Sequence, residues 1–165
     1  EIKKFSKQIK YLEHETNLGL PNARNTAIRN ALGRFVFNLD SDDYIHPKTI
    51  ETMLIGMELG NFDALACDYY NTDIEDNKSG HMSAKENPIA CGIMFKRQLL
   101  INIGLFDENL KVHEDKDLFI RFSKKHKITY LPYPFYRYYQ HNESLSRSKD
   151  ADEYLKKINK KNYDI

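Results

Sequence analysis

No stretch of this 165-residue sequence approaches the roughly eighteen consecutive apolar residues of a membrane-spanning helix. Any contact with a lipid surface, such as the inner membrane face, is expected to be peripheral or made by segments outside the sequence. Charge of one sign is also missing: 25 Lys and Arg stand against 24 Asp and Glu, a formal net charge of +1. That balance offers no basic block suited to nucleic acid, the Lys-rich stretch EYLKKINKKNY (153 to 163) being a partial exception. Cysteine is scarce. Cys67 and Cys91 lie in apolar runs without CxxC spacing, which reads as two reduced core thiols and fits a cytoplasmic protein. The charged first residues do not form a signal peptide, and no internal repeat or low-complexity linker breaks the chain. What is present is 41% hydrophobic residues with 11 Tyr and 9 Phe, enough to fill the core of one domain.

Short apolar runs alternate with helical patterns. IKYLEH (9 to 14) reads as a strand, and LPNARNTAIRNALG (20 to 33) as a helix with Pro21 near its first turn and Gly33 past its end. RFVFNL (34 to 39) is apolar enough to predict a central strand. After Pro47, Ile50, Met53, Leu54 and Met57 fall at i, i+3, i+4 and i+7, one buried helix face. DALACDYYNTDI (63 to 74) and PIACGIMF (88 to 95) read as strands, with EDNKSG (75 to 80) as a turn. A helix is expected from Arg97 to Ile103, another over 113 to 125, and an extended aromatic segment over 128 to 141. The alternation predicts a layered α/β domain with a mixed, mostly parallel sheet over residues 1–149, followed by a helical tail, 150–165.

FNLDSDD (37 to 43) places three carboxylates in four residues directly after an apolar run. In open α/β sheets, ligands bind beyond the carboxyl ends of the strands. Carboxylates this close raise one another's pKa unless a cation offsets the repulsion. A hard divalent ion, Mg²⁺ or Mn²⁺, shared with substrate phosphates meets that need. An ordinary turn with an Asp helix cap also accounts for the same residues.

Their surroundings resemble a known family. NLGLPNARNTAIRNALGRFVFNLDSDDYIHPKTI (17 to 50) is similar to the core signature of family 2 glycosyltransferases of the GT-A fold. GLFDENLKVHEDKDLFIRF (104 to 122) resembles that family's F-D-E stretch and E-D helix, and YRYYQHNESLSR (136 to 147) its closing Y-R-x-x-x-H-x-x-S-x-S segment. The resemblance implies a GT-A-like, Rossmann-like layered domain. It implies a metal-dependent, inverting transferase moving sugar from a nucleoside diphosphate-sugar, UDP-sugar favoured, to a glycan or lipid-linked acceptor in cell-surface polysaccharide synthesis.

By position, the resemblance makes Asp42 the direct metal ligand and Asp40 the partner of ribose or metal-bound water, with Asp43 a spectator that caps the next helix. His141 would approach the metal or diphosphate, and Arg24 and Arg147 would contact nucleotide or phosphate. Asn25 would tie its helix to the Asp40 loop, and Gly92 would let the donor sugar approach the backbone. The base would be Asp115, with Glu114 as the substitute. Periodicity aligns Asp115 with Leu118, Phe119 and Phe122 on the buried face and turns Glu114 about 100° away. Helix-dipole stabilisation alone would explain the same acidic first turn.

The sequence departs from the family at its start, where relatives carry a PxYN-like strand and a second strand ending in DDGS. That difference predicts an N-terminally truncated domain with part of the nucleotide pocket missing. It also predicts pairing with a second copy or with a separate N-terminal piece. A nucleotidyltransferase is disfavoured by the lack of a Gly-rich phosphate loop, and a non-catalytic carbohydrate-binding or assembly fragment is the other alternative.

Overall fold

The computed structural model describes residues 9–73, 75, 77–110, 112–139 and 158. Among these the elements run α1 (Leu20–Asn30), β1 (Phe35–Phe37), β2 (Tyr44–Ile45), α2 (Thr49–Gly60), β3 (Ala64–Thr72) and β4 (Lys78–Met82). They continue with β5 (Ile93–Lys96), α3 (Arg97–Asn102), α4 (Glu114–Ser123) and β6 (Ile128–Tyr139). The strands form one sheet in the order β1-β5-β3-β6-β2, with β4 on β3 off this path.

The chain is α/β and its sheet is mixed, as expected. Among the described strands, however, the sheet is mostly antiparallel: only β3 and β6 run parallel. The physical reason is local for β3 and β4, consecutive strands brought together where Asp73 N donates to Asn77 O at 3.3 Å, and a hairpin can only be antiparallel.

Helices cover both faces, giving the expected layers. Alternation along β3 sends Ala64 and Ala66 to one side, where they pack with Ile28 of α1, Leu100 of α3 and Leu118 and Phe122 of α4. Leu65, Cys67 and Tyr69 point to the other side and meet Met53 and Met57 of α2 together with Tyr136 of β6. Both cysteines are buried free thiols.

Several elements differ from the sequence reading. Residues 9–14 form no strand, because no described strand lies beside them; they run over α1, where His14 Nε2 meets Thr26 Oγ1 at 2.9 Å. β1 is at the end of the sheet rather than its centre, pairing only with β5 among the described strands. On α2 the apolar stripe divides: Met53 and Met57 are buried, whereas Ile50 and Leu54 are exposed beside β1. β5 starts only at Ile93, since Gly92 immediately before it takes a left-handed φ of 70° that no strand continues. Of the expected tail helix, Ile158 alone is described, helical and buried.

Candidate functional site

Three parts of the chain converge on one buried guanidinium. α1 starts with Pro21 in its first turn, and Arg24 on its inner face is 9% exposed. Arg24 Nη2 donates to Asp40 Oδ1 at 2.9 Å, and Nη1 donates to Glu114 Oε1 at 2.8 Å. The same Nη2 lies 3.9 Å from Cys91 Sγ, and the guanidinium covers the Phe106 ring at 5.4 Å. Burial pulls the Arg24 pKa down, but the negative charges of Asp40 and Glu114 outweigh it and hold the pKa above the ordinary value. The expected solvated or nucleotide-facing Arg24 is therefore an internal bridge, with both terminal nitrogens committed to carboxylates.

The acidic loop after β1 is anchored from β6. Tyr136 Oη accepts from Asp40 N at 3.3 Å and donates to Asp43 Oδ2 at 2.5 Å, while Tyr139 N donates to Asp43 Oδ1 at 2.7 Å. Burial is the main cause that pushes the Asp43 pKa up to about 6, against the pull of those hydrogen bonds. Asp43 is thus not a helix-capping spectator: α2 has Lys48 at its N-cap position and no side-chain cap bond. Asp42 is exposed between the two anchored residues. Sequence reasoning missed Tyr136 because it lies 93 positions from Asp43.

Ligand atoms of Asp40, Asp43 and Cys91 lie within 4.8 Å of one another. The two carboxylates suit a hard cation, and the thiol does not. Burial and the adjacent Asp40 push the Cys91 pKa up, which keeps the sulfur protonated. The donors in this group that fit Mn²⁺ or Mg²⁺ are therefore Asp40 and Asp43, and Asp42 adjoins them in sequence. Of the expected ligands Asp40, Asp42 and His141, the last, like Arg147, lies outside the described residues.

At the first turn of α4 the positions of the acid pair are reversed relative to the periodicity. Glu114 is buried, together with Asp117, Leu118 and Phe122, whereas Asp115 is half-exposed. Arg24 draws Glu114 inward, and Arg121 neutralises the fully buried Asp117 through Nη2 at 2.6 Å. Burial and the adjacent Asp115 raise the Glu114 pKa, with Arg24 pulling the other way. Asp115 Oδ1 accepts the Lys116 N–H at 2.8 Å, so a first-turn amide orients it. Tyr138 was not singled out from sequence. Burial, and then the negative charges of Asp43, Asp40 and Asp115, raise its pKa.

Two supporting residues hold this arrangement. Asn25 does not reach the Asp40 loop; it exchanges hydrogen bonds with Phe106 O (2.9 Å) and Phe106 N (3.0 Å) and donates to Glu108 Oε1 (2.9 Å). It therefore ties α1 to the FDE turn that leads to α4. Gly92 donates no space: a Cβ there would meet Cys67 and Tyr136 at an ordinary 3.5 Å. Its positive φ is what requires glycine.

The family model for glycosyl transferase family 2 matches residues 1–129. An uncharacterized glycosyltransferase of Rickettsia conorii is 34% identical over 139 residues, covering 77% of this chain and 23% of that protein. One from Methanocaldococcus jannaschii is 29% identical, covering 96% of this chain and 47% of its own length. The chain thus spans less than half the length of these curated relatives. Among solved structures, Staphylococcus aureus TarS 1–349 in complex with UDP-GlcNAc superposes with a TM-score of 0.77 at 21% identity, covering 95% of this chain and 51% of that one. The mannosyltransferase PcManGT of Pyrobaculum calidifontis, in complex with GDP-Man and Mn²⁺, gives 0.64 at 17% identity, covering 87% and 44%.

Proposed function

The chain belongs to glycosyl transferase family 2, and from that membership we propose that it carries out metal-dependent, inverting transfer of a sugar from a nucleoside diphosphate-sugar to an acceptor hydroxyl. The observation that carries the reading is Arg24, which joins the acidic loop to the α4 acid pair through Asp40 and Glu114. It leaves Asp115 half-exposed in the first turn of the same helix. The acceptor oxygen attacks the anomeric carbon while the bond from that carbon to the diphosphate oxygen breaks. Asp115 takes the hydroxyl proton. Glu114, tied to Arg24, positions the helix end instead of acting as a base.

Asp40, Asp42 and Asp43 would hold Mn²⁺ or Mg²⁺, which when bound neutralises charge on the departing diphosphate. The turn at Gly92 lies behind the donor sugar, and the acceptor is a glycan or lipid-linked glycan of the cell surface. The UDP-GlcNAc and GDP-Man complexes of the structural neighbours support a nucleotide-sugar donor, with UDP-sugars tested first.

Calorimetric titration of UDP- and GDP-sugars, with and without Mn²⁺, tests donor class and metal dependence together. Hydrolysis of the same panel tests turnover. Asp115→Asn is expected to lower transfer by about 10² to 10⁴ while donor binding stays within twofold. Transfer by that variant at the parental rate assigns the base to another group.

A further inference from the structure

Four neighbouring strands carry a row of side chains that the chemistry above does not use. His81 of β4 faces Tyr70 of β3, Tyr70 faces Arg137 of β6, and Arg137 faces Tyr44 of β2. Register partners project to one side of a sheet. By alternation along β3 that side is the one occupied by Ala64 and Ala66, which α4 covers. α4 has its last turns at Phe95, through Phe122, and its first turn near Cys91, through Arg24. Tyr70 lies four residues beyond Ala66, about 13 Å along the strand. The row therefore occupies the sheet face just past the helix end that carries Asp115.

Its charge is uncompensated among the described residues. Arg137 Cζ lies 4.6 Å from the Tyr70 ring centroid, and Lys78 Nζ lies 5.0 Å from the same centroid. Among the described residues the hydrogen bonds of Arg137 go to the backbone oxygens of Pro134 and Tyr136, and neither cation has a carboxylate partner. Arg24, Arg29, Arg34 and Arg121 each have one. The nearby Asp68 is buried and already satisfied by His81 Nε2 at 2.8 Å and Ala84 N at 2.9 Å. Two like charges flanking one ring, within about a Debye length of each other, raise the local positive potential and favour an anion beside them.

We propose that Arg137 and Lys78, set on the Tyr70 ring, bind an anionic group of the acceptor, a phosphate ester, as it approaches Asp115. The guanidinium fork takes two phosphate oxygens and the lysine supplies a point charge. Tyr44, 45% exposed at the end of the row, offers a flat face beside them. The donor diphosphate belongs at the acidic loop, where Asp43 is held by Tyr136 on the opposite side of β6. The assignment of this anion to the acceptor rests on the reading of Asp115 as the base; anion binding by the row does not.

The test is an NMR titration of the full chain with glycerol phosphate, using glycerol as the neutral control and UDP plus Mn²⁺ as a separate arm. Amide shifts are expected around Tyr70, Lys78 and Arg137 with glycerol phosphate only. Affinity should fall at least tenfold in Arg137→Gln and severalfold in Lys78→Gln, the latter on an exposed hairpin whose change leaves the fold intact. Raising salt should weaken binding in the parent more than in either variant. Shifts confined to the acidic loop, equal response to glycerol, or unchanged affinity in Lys78→Gln would overturn the proposal. Failure of the UDP arm alone would instead count against the donor reading.

Discussion

Without the Arg24 guanidinium, Asp40 and Glu114 would face each other across a partly buried gap with nothing between them. Breaking a buried pair from one side costs about 3–5 kcal/mol, because the remaining charges stay desolvated. Arg24→Met is therefore expected to lower unfolding stability by about that amount in urea titrations. Adding Glu114→Gln should recover part of the loss, since it removes one of the two like charges. Asp43 gives a pH dependence. Its folded pKa, about 6, exceeds the ordinary 3.8, so the folded state holds the proton more tightly between those values. The stability this confers is complete below about pH 4 and is lost as pH rises through 6. A metal ligand needs the opposite form, so Mn²⁺ affinity should fall as pH drops below 6. Titrations at pH 5, 6 and 7 check both signs. The acidic loop and acid pair were legible in the sequence, but the inward member of the pair was not. Apolar periodicity ignores buried charge, and Asp117, hidden by its i,i+4 partner Arg121, shifts the buried face toward Glu114.

At the level of elements, α1 and α4 are placed relative to each other by Asn25, which is 1% exposed. Asn25→Ala would leave the N–H and C=O of Phe106 without their partners in the interior. The expected cost is about 2–3 kcal/mol, with faster hydrogen exchange at the Phe106 amide. A stability change below about 0.5 kcal/mol would mean that the FDE turn holds itself. The helices were readable because Pro21 and the apolar spacing mark them locally. Strand order was not readable. FVF looks central because it is apolar, yet β1 is at the sheet's end, and IKYLEH forms no strand where no described partner lies beside it. Strand identity depends on neighbours distant in sequence, and alternation carries no record of them.

Over the whole molecule, β1 leaves one edge without a hydrogen-bonded strand among the described residues. Beside it runs a groove of about 370 Å³ whose lining includes Val36, Met94, Ile50 and Leu54. Ile50 and Leu54 are 42% and 41% exposed, so the groove joins open backbone to apolar surface. An unpaired edge beside apolar side chains templates association, because a second strand gains ladder hydrogen bonds and buries that surface at once. The chain should therefore self-associate through β1, with a light-scattering mass that rises above 19.5 kDa as concentration increases. Leu54→Glu changes an exposed position and should leave the core intact. It should hold the mass at the monomer value across the same range, because burying the new carboxylate against the groove would cost more than the ladder returns. A parent chain that stays monomeric at high concentration would show that the edge does not template pairing.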